Sequence, residues 1–220
     1  SVIELQWLLL DDDDANLVYL GTTSRGTPVR INRVVAESQR RILLGAVVFH
    51  YFAGFGGGRK LLLPGVAARD SVAHNHAMTL DPLADRINPK VRIGQMEGNP
   101  VAEDMLEAAK MMGADFCINS VLDRSGGIAG LYCGDMEQAH AAGVEHAQRL
   151  FAAPIRRHAD LVIANAGHVR NFVQSHKALY NAWQAMWPGG RIVLAARCEE
   201  GLGTARFIEW VRMADRATII

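Results

Sequence analysis

The sequence predicts an α/β protein of two lobes with a cleft between them. The second lobe reads as a Rossmann-like parallel sheet, and both lobes read as incomplete. Three observations lead there. Short apolar runs with strand-like composition alternate with amphipathic stretches of helical period. After about residue 158 the alternation becomes a strict β-α-β-α pattern, the signature of parallel strands joined by crossover helices. Between the halves, Pro154 and the polar Arg156-Arg157-His158 mark a linker, so domains are expected over 1–150 and 151–220.

In the first half, Leu17–Leu20 reads as a strand stopped by Gly21, and Val29–Val35 alternates as a second. Ile42–Phe49 is continuously apolar and predicts a strand covered on both faces. Residues 69–79 suit a short helix. Pro100–Met112 is an amphipathic helix with Asn99 as its N-cap, Glu103 and Asp104 in its first turns and Gly113 at its end. Phe116–Leu122 and Ile128–Tyr132 flank Ser125-Gly126-Gly127 as a β-hairpin, and a helix runs from Asp135 to about Leu150. In the second half, Leu161–Ala164 and Arg191–Ala196 are strands. Val173–Met186 and Thr204–Met213 are helices, and Trp187–Gly190 is a turn.

A chain of 220 residues, 50% apolar, is long enough to bury a core. Lys plus Arg number 23 and Asp plus Glu number 23, and this balance argues against a general nucleic-acid binder. No apolar run reaches the roughly 18 residues of a membrane span, and no signal peptide is visible. Cys117, Cys133 and Cys198 are scattered without a CxxC pair, which fits a reducing, cytoplasmic setting. The chain opens on Ser1 and stops in a strand-like run, so both ends read as cut.

The densest chemistry lies in His50-Tyr-Phe-Ala-Gly-Phe-Gly-Gly-Gly-Arg-Lys60. Gly54, Gly56, Gly57 and Gly58 allow close backbone approach to a ligand, and exposed N–H groups in such a loop form an anion nest. Arg59 and Lys60 add positive charge, and the loop follows a strand, where α/β folds bind ligands. It is not a P-loop, which requires Gly-Lys followed by Ser or Thr, since Lys60 precedes Leu61. Nor is it a dinucleotide fingerprint, since no acidic residue sits at a strand end about 20 residues on. His74 and His76 come next. At i, i+2 they do not share a helix face, so at most one serves a common site.

Taken together, His50…Gly-Phe-Gly-Gly-Gly-Arg-Lys60…Leu-Pro-Gly65…Asn75-His76 resembles the core of the nickel-pincer-nucleotide-dependent lactate racemase family. Nine residues separate His50 from Lys60 and fifteen separate Lys60 from His76, as in that core. Leu20–Asn32, Gly98-Asn-Pro-Val, Asp115–Asn119 and Gly134-Asp135…Ala139-His140 resemble the flanking segments, and the likeness covers essentially the whole chain. It implies a racemase or epimerase of a 2-hydroxy acid. The cofactor it implies is nickel within a pyridinium-3,5-bisthiocarboxylic acid mononucleotide, made by dedicated cofactor-synthesis enzymes. Lys60 is the implied tether, activated by Arg59, with Gly56, Gly57 and Gly58 beside it. His76 is the implied nickel ligand, and imidazole suits nickel. His50 is one of two catalytic histidines, taking the proton of the 2-hydroxyl while the C2 hydrogen leaves as hydride. Gln174 and Lys177, which share a helix face at i, i+3, are the implied contacts to the substrate carboxylate.

The likeness has departures. Val169 and Val173 stand where the family usually has an aspartate and a tyrosine, and the turn before them reads Gly167-His168. This keeps a sugar acid or aldonate open as substrate. The family's second catalytic histidine and its phosphate-gripping Asp-x-Thr-Arg-Pro element precede the segment seen here. Residues 1–150 therefore correspond to the C-terminal part of a cofactor-binding domain, and 151–220 to part of a second α/β domain. This segment alone is expected to be inactive. A non-catalytic nucleotide- or anion-binding module is the alternative from another class. Neither nucleic acid nor a membrane is an expected partner.

Overall fold

A computed structural model describes residues 13–84, 86–203, 205 and 209. The chain divides into two compact units, 1–152 and 153–220. Among the described residues, no helix is long and apolar enough to cross a membrane.

The first unit opens with an antiparallel hairpin of β1 (Leu17–Thr22) and β2 (Pro28–Asn32). Gly21 does not stop β1, because a register shift between Tyr19 and Gly21 carries the ladder on to Thr22. The second strand ends before Val35. The Asn32 side chain accepts from the Val34 N–H (3.0 Å) and starts the short helix α1 (Arg33–Ala36). The unit's main sheet has the order β3-β6-β7, with β3 spanning Ile42–Ala46, β6 Phe116–Leu122 and β7 Ile128–Gly134. β3 runs parallel to β6, and β6 pairs antiparallel with β7 as the hairpin pattern predicts. The expectation that β3 is covered on both faces is overturned. It is an edge strand, shorter than the apolar run, and Ile42 and Leu44 are 65% and 72% exposed. The rest of the run continues into the two-residue strands β4 (Phe49–His50) and β5 (Gly54–Phe55).

Three helices cover this framework: α2 (Arg69–Ala77), α3 (Pro100–Met112) and α4 (Met136–Phe151). The Asn99 side chain caps α3 by accepting from the Val101 and Ala102 N–H groups (3.1 and 3.3 Å), and Gly113 ends it at φ +71°. Val101, Met105, Ala108 and Ala109 form its buried stripe, packed with Val29, Ile31, Leu62 and Leu63 in the larger core. Asp135 caps α4, whose buried face carries Ala139, His140, Gly143, Val144 and Ala147. A smaller core joins Val144 and Ala147 to Val47, Phe55 and Val121.

In the second unit, β8 (Ala159–Asn165) and β9 (Met186–Ala195) pair in parallel, linked by α5 (Phe172–Trp183). This is the β-α-β order read from the sequence. The helix is shorter than expected at its end, and the Trp187–Gly190 segment lies within β9 rather than in a separate turn. The helix expected over Thr204–Met213 falls almost wholly outside the described residues.

One buried polar knot ties the first unit together. Asp104 on α3, fully buried, accepts from the Thr23 hydroxyl (2.5 Å), the Thr27 hydroxyl (2.8 Å) and the Asn75 side-chain amide (2.8 Å). It joins the β1–β2 turn and α2 to α3. Replacing Asp104 by Ala strands the two hydroxyls and leaves the Asn75 amide only its bond to the Val101 carbonyl (3.1 Å). The expected loss is at least about 2 kcal/mol, since a buried donor left without an acceptor costs about 1–3 kcal/mol. Urea unfolding measures it, and a midpoint unchanged from wild type refutes the assignment.

Candidate functional site

β3 delivers the chain to the site. The ladder continues one residue past Ala46, where the Val47 N–H donates to the Ser120 carbonyl (2.8 Å), and the chain then turns through β4 and β5. The ring of Phe52 lies at the centre of the cluster this turn creates. His50 meets it edge-on with ring centres 4.5 Å apart, and His76 meets it edge-on at 4.6 Å. Lys60 Nζ lies 5.6 Å from the centre of the same ring and 3.3 Å from His50 Nε2. His50, Lys60 and His76, widely spaced in sequence, are thus gathered around one aromatic ring.

The two histidines are oriented by backbone groups. His76 Nδ1 donates to the Val72 carbonyl one turn earlier (2.8 Å), which leaves the lone pair on Nε2. Burial holds the His76 imidazole below its ordinary range, and the nearby Lys60 charge pushes the same way against the Val72 bond. A neutral ring is the form that ligates metal. The neighbouring His74 is exposed and its Nδ1 donates to the Asp70 carbonyl (2.9 Å). At His50 each ring nitrogen faces a donor, the Ala53 N–H at Nδ1 (3.2 Å) and the Lys60 ammonium at Nε2 (3.3 Å). For Nε2 to act as a base, that long Ala53 contact must give way.

The glycine-rich loop differs from the open anion nest expected of it. Gly54, Gly56, Gly57, Gly58 and Arg59 are all buried. The Gly56 N–H already donates to the Val48 carbonyl (2.7 Å) and the Gly58 N–H to Asn119 Oδ1 (3.1 Å). These glycines allow the loop to press against its own protein. Gly58 has φ +49°, and a Cβ there would stand 2.8 Å from the His140 ring. The loop then winds into a 3-10 turn, Gly58–Leu61, which carries Lys60.

Arg59 and Lys60 take different partners. Arg59 is 5% exposed and donates from Nη1 to His140 Nδ1 at a long 3.5 Å. With Met96, Leu106, Met136, Glu137 and His140 it lines a cavity of about 220 Å³. Burial pushes its guanidinium down to about 10, opposed by Glu137, so it stays charged at neutral pH. His140 Nε2 donates to the Gly56 carbonyl (2.8 Å). Burial, and then the Arg59 charge, push His140 down to about 4. In the second unit, Gln174 and Lys177 are exposed on α5, and His168 lies 3.4 Å from Glu199.

Phe52, Asn119 and His140 had no role assigned from the sequence. Phe52 is an ordinary aromatic in an apolar stretch. Asn119 and His140 carry a weak signal, because each is a polar residue at an inward-facing position of an otherwise apolar strand or helix face.

Fold and site together define an α/β protein that displays one lysine and two histidines around a buried aromatic ring, at the carboxyl end of a parallel strand. Residues 6–86 match the lactate racemase N-terminal domain. Over 217 residues the chain is 34% identical to the lactate racemase of Thermoanaerobacterium thermosaccharolyticum, covering 96% of this chain and 50% of that protein. Over 198 residues it is 34% identical to the lactate racemase of Lactiplantibacillus plantarum, covering 89% and 45%. The T. thermosaccharolyticum lactate racemase apoprotein structure superposes with a TM-score of 0.83 at 32% identity, covering 90% of this chain and 47% of that one. A Thermotoga maritima crystal structure shares the fold at a TM-score of 0.65 and 21% identity, covering 91% and 53%. The chain is similar to lactate racemases along nearly its whole length, and it spans about half the length of the curated relatives it matches.

The depressed His140 value has a definite sign. Its ring is neutral when folded and protonates more readily when unfolded, so stability is full above about pH 6.5 and falls as pH drops toward about 4. The expected slope in that window is up to roughly 1.4 kcal/mol per pH unit. Urea unfolding across the window shows a shallower slope in His140→Gln than in wild type if His140 is its source, and an identical slope if it is not.

Proposed function

We propose that the protein is an isomerase that racemises or epimerises a 2-hydroxy acid, as its lactate racemase relatives are named for doing. The observation that carries this is the convergence of His50, Lys60 and His76 on Phe52, with the spacing of the family core. It acts with a nickel-pincer nucleotide attached to Lys60 and supplied by cofactor-synthesis enzymes, in the cytoplasm. Units 1–152 and 153–220 correspond to the later part of a cofactor-binding domain and part of a second α/β domain.

The residues present fit such a group. Lys60 offers a primary amine for a covalent tether. His76 offers a neutral imidazole whose Nε2 lone pair is left by the Val72 bond. No group of three or more His, Cys, Asp or Glu side chains able to hold a metal ion occurs among the described residues. When bound, the cofactor supplies a nickel ion and a ring that accepts and returns hydride. His50 exchanges the proton of the substrate hydroxyl at Nε2. Buried Phe52 keeps water from the space between the two imidazoles and the lysine. Gln174 and Lys177 hold the carboxylate of the substrate. Val169 and Val173, in place of the family's aspartate and tyrosine, keep a sugar acid or aldonate open as an alternative to a lactate-like substrate.

The test is intact-mass and metal analysis of the full-length protein produced together with the cofactor-synthesis enzymes. A cofactor adduct on Lys60 is expected, absent in Lys60→Ala. His76→Ala is expected to keep the adduct and to lose nickel by at least about tenfold. His50→Gln is expected to retain both and to lose turnover of 2-hydroxy acids by roughly 10²–10⁴. Full-length protein without adduct or nickel overturns the reading.

A further inference from the structure

The glycine-rich loop is gripped from behind by two side chains of other elements. His140, on the buried face of α4, donates from Nε2 to the Gly56 carbonyl (2.8 Å). Asn119, on the inward face of β6, accepts from the Gly58 N–H (3.1 Å). The Asn119 amide nitrogen donates in turn to Cys117 Sγ (3.0 Å), which settles which way the carboxamide faces. Both grips are close. A Cβ on Gly57 would stand 2.9 Å from Asn119 Oδ1, and one on Gly58 2.8 Å from the His140 ring. Lys60 comes within two residues of this grip, and its own N–H donates to the Gly57 carbonyl (3.1 Å).

We propose that His140 and Asn119 are positioning residues for Lys60, which pin the backbone at Gly56 and Gly58 so that the lysine amine reaches His50 and the face of Phe52. Packing alone does not require polar groups here. Ala139, Val144 and Ala147 line the same face of α4, and Cys117 and Val121 flank Asn119 on β6. What the two polar residues add is direction. One accepts and one donates, each matched to the backbone group it meets, at positions two residues apart in the loop. His140 suits this because its neutral ring has one donor and one acceptor. Nε2 faces the Gly56 carbonyl and Nδ1 faces Arg59, which draws the Arg59 charge toward the cavity with Glu137 rather than toward Lys60. These contacts belong to the chain's own geometry, beyond the proposed activity, and their readout does not depend on a cofactor.

The experiment is competitive acetylation of the folded full-length chain, without cofactor, by a limiting amount of an acetyl N-hydroxysuccinimide ester. Mass spectrometry reads the labelling of Lys60 relative to exposed Lys90. A loosened loop releases Lys60 from its contacts with His50 and Phe52. The ratio is therefore expected to rise several-fold in His140→Ala and in Asn119→Ala, and to return to the wild-type value in His140→Gln, which keeps a donor for the Gly56 carbonyl. Asn119→Ser, which keeps a small acceptor, carries the test if the alanine variants do not fold, with a smaller rise expected. A purely structural role lowers the melting temperature and leaves the ratio of the folded variants unchanged, and that result overturns the proposal. So does a Gln variant that labels like the Ala variant. An altered ratio with no cofactor adduct in co-production would sink the functional reading and leave this one standing.

Discussion

The carbonyl of Gly56 and the amide of Gly58 are bonded to side chains from a helix and a strand that lie far away in sequence, and no Cβ fits between them. This close three-way contact lies at the start of the turn that carries Lys60. It decides where the 3-10 turn begins, and with it the height at which Lys60 leaves the backbone. It also makes glycine necessary at these positions for reasons internal to the fold. A glycine run beside basic residues invites the reading of a cradle for anions. Here the Gly56 and Gly58 amides are already engaged, and the basic pair divides, with Arg59 folded under the loop and Lys60 in the cluster above it.

That division separates two electrostatic environments built from adjacent residues. Beneath the loop, a guanidinium lies against a neutral imidazole, which burial first and the Arg59 charge second keep uncharged. Around Phe52, two histidines meet the ring edge-on and a lysine amine lies over its face. Balance of charge over the whole chain gives no hint of either setting.

Much of the framework was legible from residues alone. The cap at Asn99, the stop at Gly113 and the hairpin around Gly126 are local signals, and local signals survive folding. The β-α-β order of the second unit was readable for the same reason. What was not readable depends on partners. Ile42–Phe49 looks like a central strand because its composition is apolar, yet sheet order puts β3 at an edge, and composition does not encode neighbours. At the site, His50, Lys60 and His76 were marked by residue type and spacing. Their common centre, Phe52, was not, since an aromatic in an apolar run has no distinguishing feature. Asn119 and His140 announce themselves only once β6 and α4 are placed and a polar side chain is found facing inward.

The parallel pairing of β3 with β6 has a kinetic side. Everything from Val47 to Asp115 lies between the two strands, including the loop, α2 with His76, and α3. Closing that ladder brings distant segments together at an entropic cost set before any contact rewards it. Asn119 reaches the loop only after β6 has docked, and His140 only after α4 has joined it. The two side-chain bonds to the loop therefore form only once the sheet is closed, and a chain caught before that step carries the loop without either of them.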